Sequence, residues 1–167
     1  MIERIVFDCE TDGLLDSFKT GVYTTATKVW CLCAYDVTGK EMHTFDVERG
    51  NILEGLELLS RAREVIGHNI INFDFRVFQR LYGFTYTGLV VDTYILSEYL
   101  YPERSGGHNL EAWGVRTGRS KPEHEDWSQF SPEMLHRCTE DVEINYLTYQ
   151  MLMKEARQPI KGVQLWA

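Results

Sequence analysis

The chain has 167 residues, a formal net charge of −8 and 44% apolar content, which suits one domain with a single substantial core. Its apolar runs are too short to span a membrane, and Met1-Ile2-Glu3-Arg4 does not open a secretory signal, so a cytoplasmic location is expected. The acidic balance speaks against a generally basic nucleic-acid-binding surface.

In chain order, Ile5-Val6-Phe7 predicts a strand over about 4–9 that ends in Asp8-Cys9-Glu10. Residues two apart on a strand share a face, so Asp8 and Glu10 project together and Cys9 turns away. Two adjacent carboxylates repel unless a cation or a shared proton compensates; the plain alternative is a solvated strand end. Thr11-Asp12-Gly13-Leu14 then reads as a turn, which places the pair at a strand mouth, where open α/β sheets build their sites.

A hairpin over 28–47 turns at Thr38-Gly39-Lys40, and a helix follows near 51–62. Cys31 and Cys33 can share a strand face, but no second pair at zinc spacing accompanies them, so the four cysteines read as buried, reduced thiols. A strand near 63–67 runs into His68-Asn69, and a helix over about 72–82 carries Asp74 in its first turn, where a carboxylate is equally expected as a mere cap. Phe73, Val77, Phe78 and Leu81 read as its core face. Val90-Val91-Asp92 ends another strand, with Asp92 read as a cap for the next helix.

The later half is mostly helical, including 107–116 and a long segment from 131 to about 156 that opens with Ser131-Pro132-Glu133. Asp141 lies well inside that segment, a costly place for a buried carboxylate unless it is paired or bound to metal. Pro, Gly, Ser and charge mark 101–107 and 117–129 as loops. These elements predict an α/β fold: a mixed central sheet of about five strands, the first three antiparallel, flanked by helices. The domain is expected over 1–157, with a C-terminal tail at 158–167.

The three acidic blocks, Asp8-Cys9-Glu10, Asn69-Ile70-Ile71-Asn72-Phe73-Asp74 and Thr139-Glu140-Asp141, resemble the DEDD superfamily of 3′-to-5′ exonucleases, which share a ribonuclease-H-like fold. His108-Asn109-Leu110-Glu111-Ala112-Trp113-Gly114 and Asp126-Trp127-Ser128-Gln129-Phe130-Ser131-Pro132-Glu133-Met134 are similar to the proofreading domain of family A DNA polymerases from short-tailed bacteriophages. The resemblance spans about residues 4–155. It implies Asp8, Glu10, Asp74 and Asp141 as catalytic ligands for two divalent cations, Mg²⁺ or Mn²⁺, with Asp8 bridging both and Asp74 acting mainly through the outer shell. Oxygen ligands suit those ions over zinc. Two such ions answer the chemistry of a phosphodiester: one lowers the pKa of the attacking water and the other stabilises the departing oxygen.

The expected substrate is nucleic acid with a single-stranded or frayed 3′ end, DNA favoured over RNA, and the expected product is a nucleoside 5′-monophosphate. Thr11 looks like the residue near the terminal 3′-hydroxyl and Leu14 like a wedge between terminal bases; turn capping and core packing are their ordinary alternatives. His68 and Asn69 are candidate substrate-binding groups at the strand end, or simply loop residues. Arg104, His108, Arg116, Arg119, Lys121 and His124 can line a strand path or form a solvated face, and Tyr23, Trp30, Phe75 and Trp127 offer stacking surfaces without assignment.

The proton acceptor is where this chain departs from the phage domains, which carry tyrosine four residues before the last Asp. Arg137 stands there, while His136, five residues before Asp141, matches the spacing of the histidine branch (DEDDh). Histidine, with a pKa near 6.5, accepts protons at neutral pH. On an unbroken helix, however, residues five apart diverge by about 140° and residues four apart nearly align. His136 is expected as the base, which needs the helix to break near Cys138-Thr139; Arg137 as an electrostatic stabiliser, and His136 as a plain surface histidine, are the alternatives.

The chain reads as a separate nuclease, host-cytoplasmic if phage-encoded, that proofreads beside a DNA polymerase or another replication partner, recycles single strands or trims RNA. Gln164-Leu165-Trp166 is a candidate docking peptide, or simply a tail packed on its own domain. A binding module without catalysis and a small-molecule metallohydrolase are the competing classes.

Overall fold

The computed structural model describes residues 2–15 and 26–157; Tyr23 and the 164–166 peptide lie outside the described residues. Its core is a five-stranded sheet ordered β3-β2-β1-β4-β5. The strands are β1 (Ile2–Thr11), β2 (Val29–Asp36), β3 (Glu41–Asp46), β4 (Ala62–Gly67) and β5 (Leu89–Asp92). The first three pair antiparallel, and β4 and β5 are added in parallel on the other side of β1. The helices are α1 (Ile52–Ser60), α2 (Asp74–Tyr82), α3 (Thr93–Leu100), α4 (Leu110–Thr117) and α5 (Pro132–Ala156). This is the mixed α/β architecture expected, with β1 central and two residues longer at each end than the apolar run suggests.

Period-two alternation along β1 sorts the two layers. Ile5, Phe7 and Cys9 pack with Leu56, Leu59, Val77 and Phe78 of α1 and α2, whereas Val6 packs with Cys31, Cys33 and Ile66 against Met134, Cys138 and Val142 of α5. Asp8 and Glu10 continue the Val6 face, so they emerge beneath α5. The thiol of Cys138 donates to the Asp8 carbonyl at 3.3 Å and pins the two elements together. The four cysteines are buried and free.

Local chemistry accounts for the helix limits. Ser131 caps α5 by accepting from Met134 N, with Pro132 in the first turn. Asn109 caps α4, which starts later than its periodicity suggests because Gly106 and Gly107 hold φ of 82° and 83°. Asp92 caps α3, as expected, and its carboxylate also accepts from Asn69 N and Ile71 N. At the β4–α2 turn a Cβ on Gly67 would meet Ile70 Cγ2 at 2.0 Å, so only glycine permits that close approach.

A third cluster joins α3, α4 and α5 around the fully buried Trp113. The guanidinium groups of Arg104 and Arg116 stack over its ring at 4.7 and 4.8 Å, and Arg104 is paired with Glu155 at 2.6 Å. No helix among the described residues is long and apolar enough to cross a membrane.

Candidate metal centre

Three elements bring the acidic blocks together. One carboxylate oxygen from each of Asp8, Glu10 and Asp141 lies within 4.8 Å of the others. The first two come from the end of β1, where the strand still pairs with β2 (Asp8 with Cys33, Glu10 with Cys31) but has run past Val6, the last residue paired with β4. A register shift between Glu10 and Thr11 ends the regular pairing there. Asp141 comes from the middle of α5, whose buried stripe changes from apolar to polar at Asp141, Asn145 and Thr148.

Asp74 is the first residue of α2, is buried, and lies near enough for its charge to raise Asp8. The cap position before it is Phe73, whose side chain gives no capping bond. Among the described residues the Oδ1 atoms of both Asp74 and Asp141 are buried without a hydrogen-bond partner.

The electrostatics have one dominant cause. Burial raises the Asp8 carboxyl well above the usual range, and the charges of Asp74, Glu10 and Asp141 add to it. Burial and then Asp141 push Glu10 up to about 7, against the opposing effects of Arg137 and Lys121. Burial likewise pushes Asp74 up to about 7, offset in part by hydrogen bonding from Cys9. Burial raises Asp141, opposed by Lys121. Such a set of oxygen donors is held apart by its own charge and fits a hard divalent cation.

Two cations already reach in. Lys121 Nζ lies 2.6 Å from Asp141 Oδ2, and Arg137 Nε lies 3.4 Å from Glu10 Oε1. Sequence reasoning placed Lys121 only in a possible strand path. Nothing in its loop has a period that could aim the side chain inward.

The helix question resolves in favour of continuity. α5 runs unbroken from Pro132 to Ala156, and Thr139 bonds back to the Leu135 carbonyl at 3.0 Å instead of capping a new segment. His136 is consequently exposed, while Arg137, one turn before Asp141, faces Glu10. The break needed to bring His136 to the carboxylates is absent, which corrects the expectation that it serves as the base.

The other expected residues divide. Thr11 and Leu14 line a cavity of about 540 Å³ together with Glu10, Phe73, Trp127 and Arg137. Leu14 is 68% exposed there, so it is not a core residue, and Thr11 spends its hydroxyl on the Gly13 carbonyl at 2.6 Å. His68 and Asn69 are instead parts of the turn that follows β4. Asn69 adopts φ of 63° and its side chain accepts from Asn72. His68 Nδ1 lies 2.9 Å from Thr93 Oγ1, which donates to Asn145 Oδ1 at 2.7 Å, so the imidazole supports α5 one turn beyond Asp141. Burial, then the charge of Lys121, lower His68 to about 4 and keep it neutral.

The basic stretch does not form a free stripe. Arg104 and Arg119 are engaged by glutamates, Lys121 by Asp141, and Arg116 by the Ser105 and Gly107 carbonyls. His108 lies against Ser97 and the Pro102 carbonyl, and His124 against the Asp126 carbonyl.

No family model matches the sequence. No curated protein matches it either. Solved structures do share the fold. Brucella melitensis NrnC superposes with a TM-score of 0.67 at 19% identity, over 93% of this chain and 74% of that one. Escherichia coli RNase D, described as an exoribonuclease involved in structured RNA processing, gives 0.67 at 17%, over 92% of this chain and 40% of that one. The family B DNA polymerase of Pyrobaculum calidifontis gives 0.64 at 15%, over 92% of this chain and 25% of that one. NrnC is known with bound Mg²⁺ and bound to pGG. These likenesses establish the fold as ribonuclease-H-like.

Proposed function

We propose that this chain is a metal-dependent 3′-to-5′ exonuclease that releases nucleoside 5′-monophosphates from single-stranded or frayed 3′ ends. The observation that carries the reading is the convergence of Asp8, Glu10 and Asp141 within 4.8 Å, beside a cavity walled by Leu14, Phe73 and Trp127. An acidic cluster alone would not suffice. A fold shared with nucleases, one of them known with bound Mg²⁺, supports it.

Asp8, Glu10 and Asp141 would hold the ions directly, with Asp74 acting through the outer shell. The bound ions, when present, supply a lowered water pKa and neutralisation of the charge that builds on the phosphate and the leaving oxygen. The chain's own residues do the rest. Asp8 and Glu10, fixed by the register of β1 against β2, keep the donors on one side of the scissile phosphate. Leu14 and Trp127 provide apolar surface for the terminal base, so that the last phosphodiester lies over the carboxylates. The water oxygen bonds to phosphorus and gives up a proton to solvent, the bond from phosphorus to the 3′ oxygen breaks, and that oxygen leaves with a proton from solvent. Neither His136, on the far side of α5, nor the permanently charged Arg137 is placed to take the proton of the attacking water.

DNA is the first substrate to test. RNA is the second reading, favoured by the fold shared with RNase D over most of this chain. The deciding experiment is degradation of matched 5′-labelled DNA and RNA strands with Mg²⁺, Mn²⁺ or EDTA, by the wild type and Asp8→Ala. A ladder shortening from the 3′ end, abolished by EDTA and by the substitution, is the expected result. No cleavage of either strand with any metal would refute the reading.

A further inference from the structure

Arg137 occupies the place where the related phage domains carry a tyrosine, and its surroundings give it a different task. Its side chain is 17% exposed and lies at the partition between two cavities. The first, of about 540 Å³, holds Glu10, Leu14 and Trp127. The second, of about 790 Å³, is walled by α4 from its cap Asn109 to Val115 and by residues 118–123.

Nη1 donates to the Pro122 carbonyl at 2.5 Å, and the guanidinium plane sits 5.3 Å over the Trp127 ring. Arg137 thereby ties both ends of the loop that delivers Lys121 to Asp141. Nε, 3.4 Å from Glu10, makes no well-formed hydrogen bond and is buried. The fork is thus anchored on one side at Pro122, its Nε is enclosed beside Glu10, and Nη2 makes no hydrogen bond among the described residues. A planar cation with free N–H groups, lying between metal ligands and a cavity with an aromatic wall, suits a phosphate oxygen.

We propose that Arg137 is the phosphate-binding residue of this site: it receives the phosphate of the terminal nucleotide at the junction of the two cavities and holds the 118–130 loop closed around it. This rests on the nuclease reading above and adds to it the group that grips the strand. Two consequences follow from charge. A guanidinium beside Glu10 opposes cation binding, so its removal tightens the metal site. It attracts the phosphate, so its removal weakens nucleotide binding.

The test is calorimetric titration of the wild type, Arg137→Gln and Arg137→Lys with Mn²⁺ alone, then with thymidine 5′-monophosphate in saturating Mn²⁺. Arg137→Gln is expected to bind Mn²⁺ about tenfold tighter and the nucleotide about tenfold weaker or worse. Arg137→Lys retains the charge without the fork, so Mn²⁺ affinity stays near wild type while nucleotide affinity falls by about threefold or more. The lysine variant also keeps the test decisive if the glutamine variant does not fold. Nucleotide affinity within twofold of wild type in both variants would overturn the assignment. So would parallel loss of Mn²⁺ and nucleotide binding, the signature of a purely structural arginine. A wild type that binds neither probe would defeat the nuclease reading itself, a result distinct from a wild type that binds both and variants that match it.

Discussion

Replacing Glu10 with glutamine should stabilise the metal-free protein at high pH. Burial and Asp141 raise the Glu10 carboxyl from its ordinary 4.5 to about 7 in the folded state, and its side chain is only 13% exposed. Between pH 4.5 and 7 the folded chain therefore holds a proton that the unfolded chain has lost, so stability falls as pH rises through this window. At 1.36 kcal/mol per unit, the full cost at pH 8 is about 3 kcal/mol. Glutamine is nearly isosteric and never ionises.

His68 obscures the raw profile, because its pKa of about 4 in the fold makes stability rise with pH between about 4 and 6.5. The difference between wild type and Glu10→Gln cancels that contribution. In EDTA the variant should melt about 6–12 °C above wild type at pH 8, with the gap closing toward pH 4.5. Circular dichroism melts at half-unit pH intervals would measure it. Saturating Mn²⁺ should reverse the order by stabilising the wild type more. A gap at pH 8 that is absent, of opposite sign, or the same at every pH would refute the argument and mean that Arg137 and Lys121 already satisfy the cluster.

Three further outcomes are expected. His136→Ala should change turnover by less than about threefold, since exposed side chains away from a site contribute little; a hundredfold loss in steady-state kinetics would restore it as the base. Lys121→Gln, which leaves the buried Asp141 without its 2.6 Å partner, should destabilise the metal-free protein by about 1–3 kcal/mol in urea titrations at pH 8, and Mn²⁺ should recover most of it. Gly67→Ala should cost about 1–3 kcal/mol through its collision with Ile70, and a thermal melt equal to wild type would refute the tight turn.

The carboxylates were legible in the sequence because strand alternation and helix caps are local. Val6, Asp8 and Glu10 alternate with Phe7 and Cys9, and that pattern alone orients both acids toward one layer. Ser131-Pro132-Glu133 likewise marked the start of α5. The choice between His136 and Arg137 was not legible, since a helix interrupted at Cys138-Thr139 and a continuous one carry the same residues. What decides it is the packing of Met134, Cys138 and Val142 on the sheet as one face. Lys121 was opaque for a related reason: a loop has no period, and only the tertiary position of residues 118–130 aims the ammonium at Asp141. The partners of the basic stretch were equally hidden: Arg104, Arg119 and Lys121 meet acids of α5, while Arg116 turns to carbonyls of the loop before α4 and His124 to a carbonyl of its own loop.

The Cys138 thiol reaches the Asp8 carbonyl across 130 residues of chain. During synthesis the hairpin of β1, β2 and β3 can form early from local contacts, yet Asp141 joins Asp8 and Glu10 only after α5 has emerged and docked on the finished sheet. A nascent chain therefore carries Asp8, Glu10 and Asp74 without Asp141 for much of its translation. The acidic cluster is complete only once α5 has packed on the sheet.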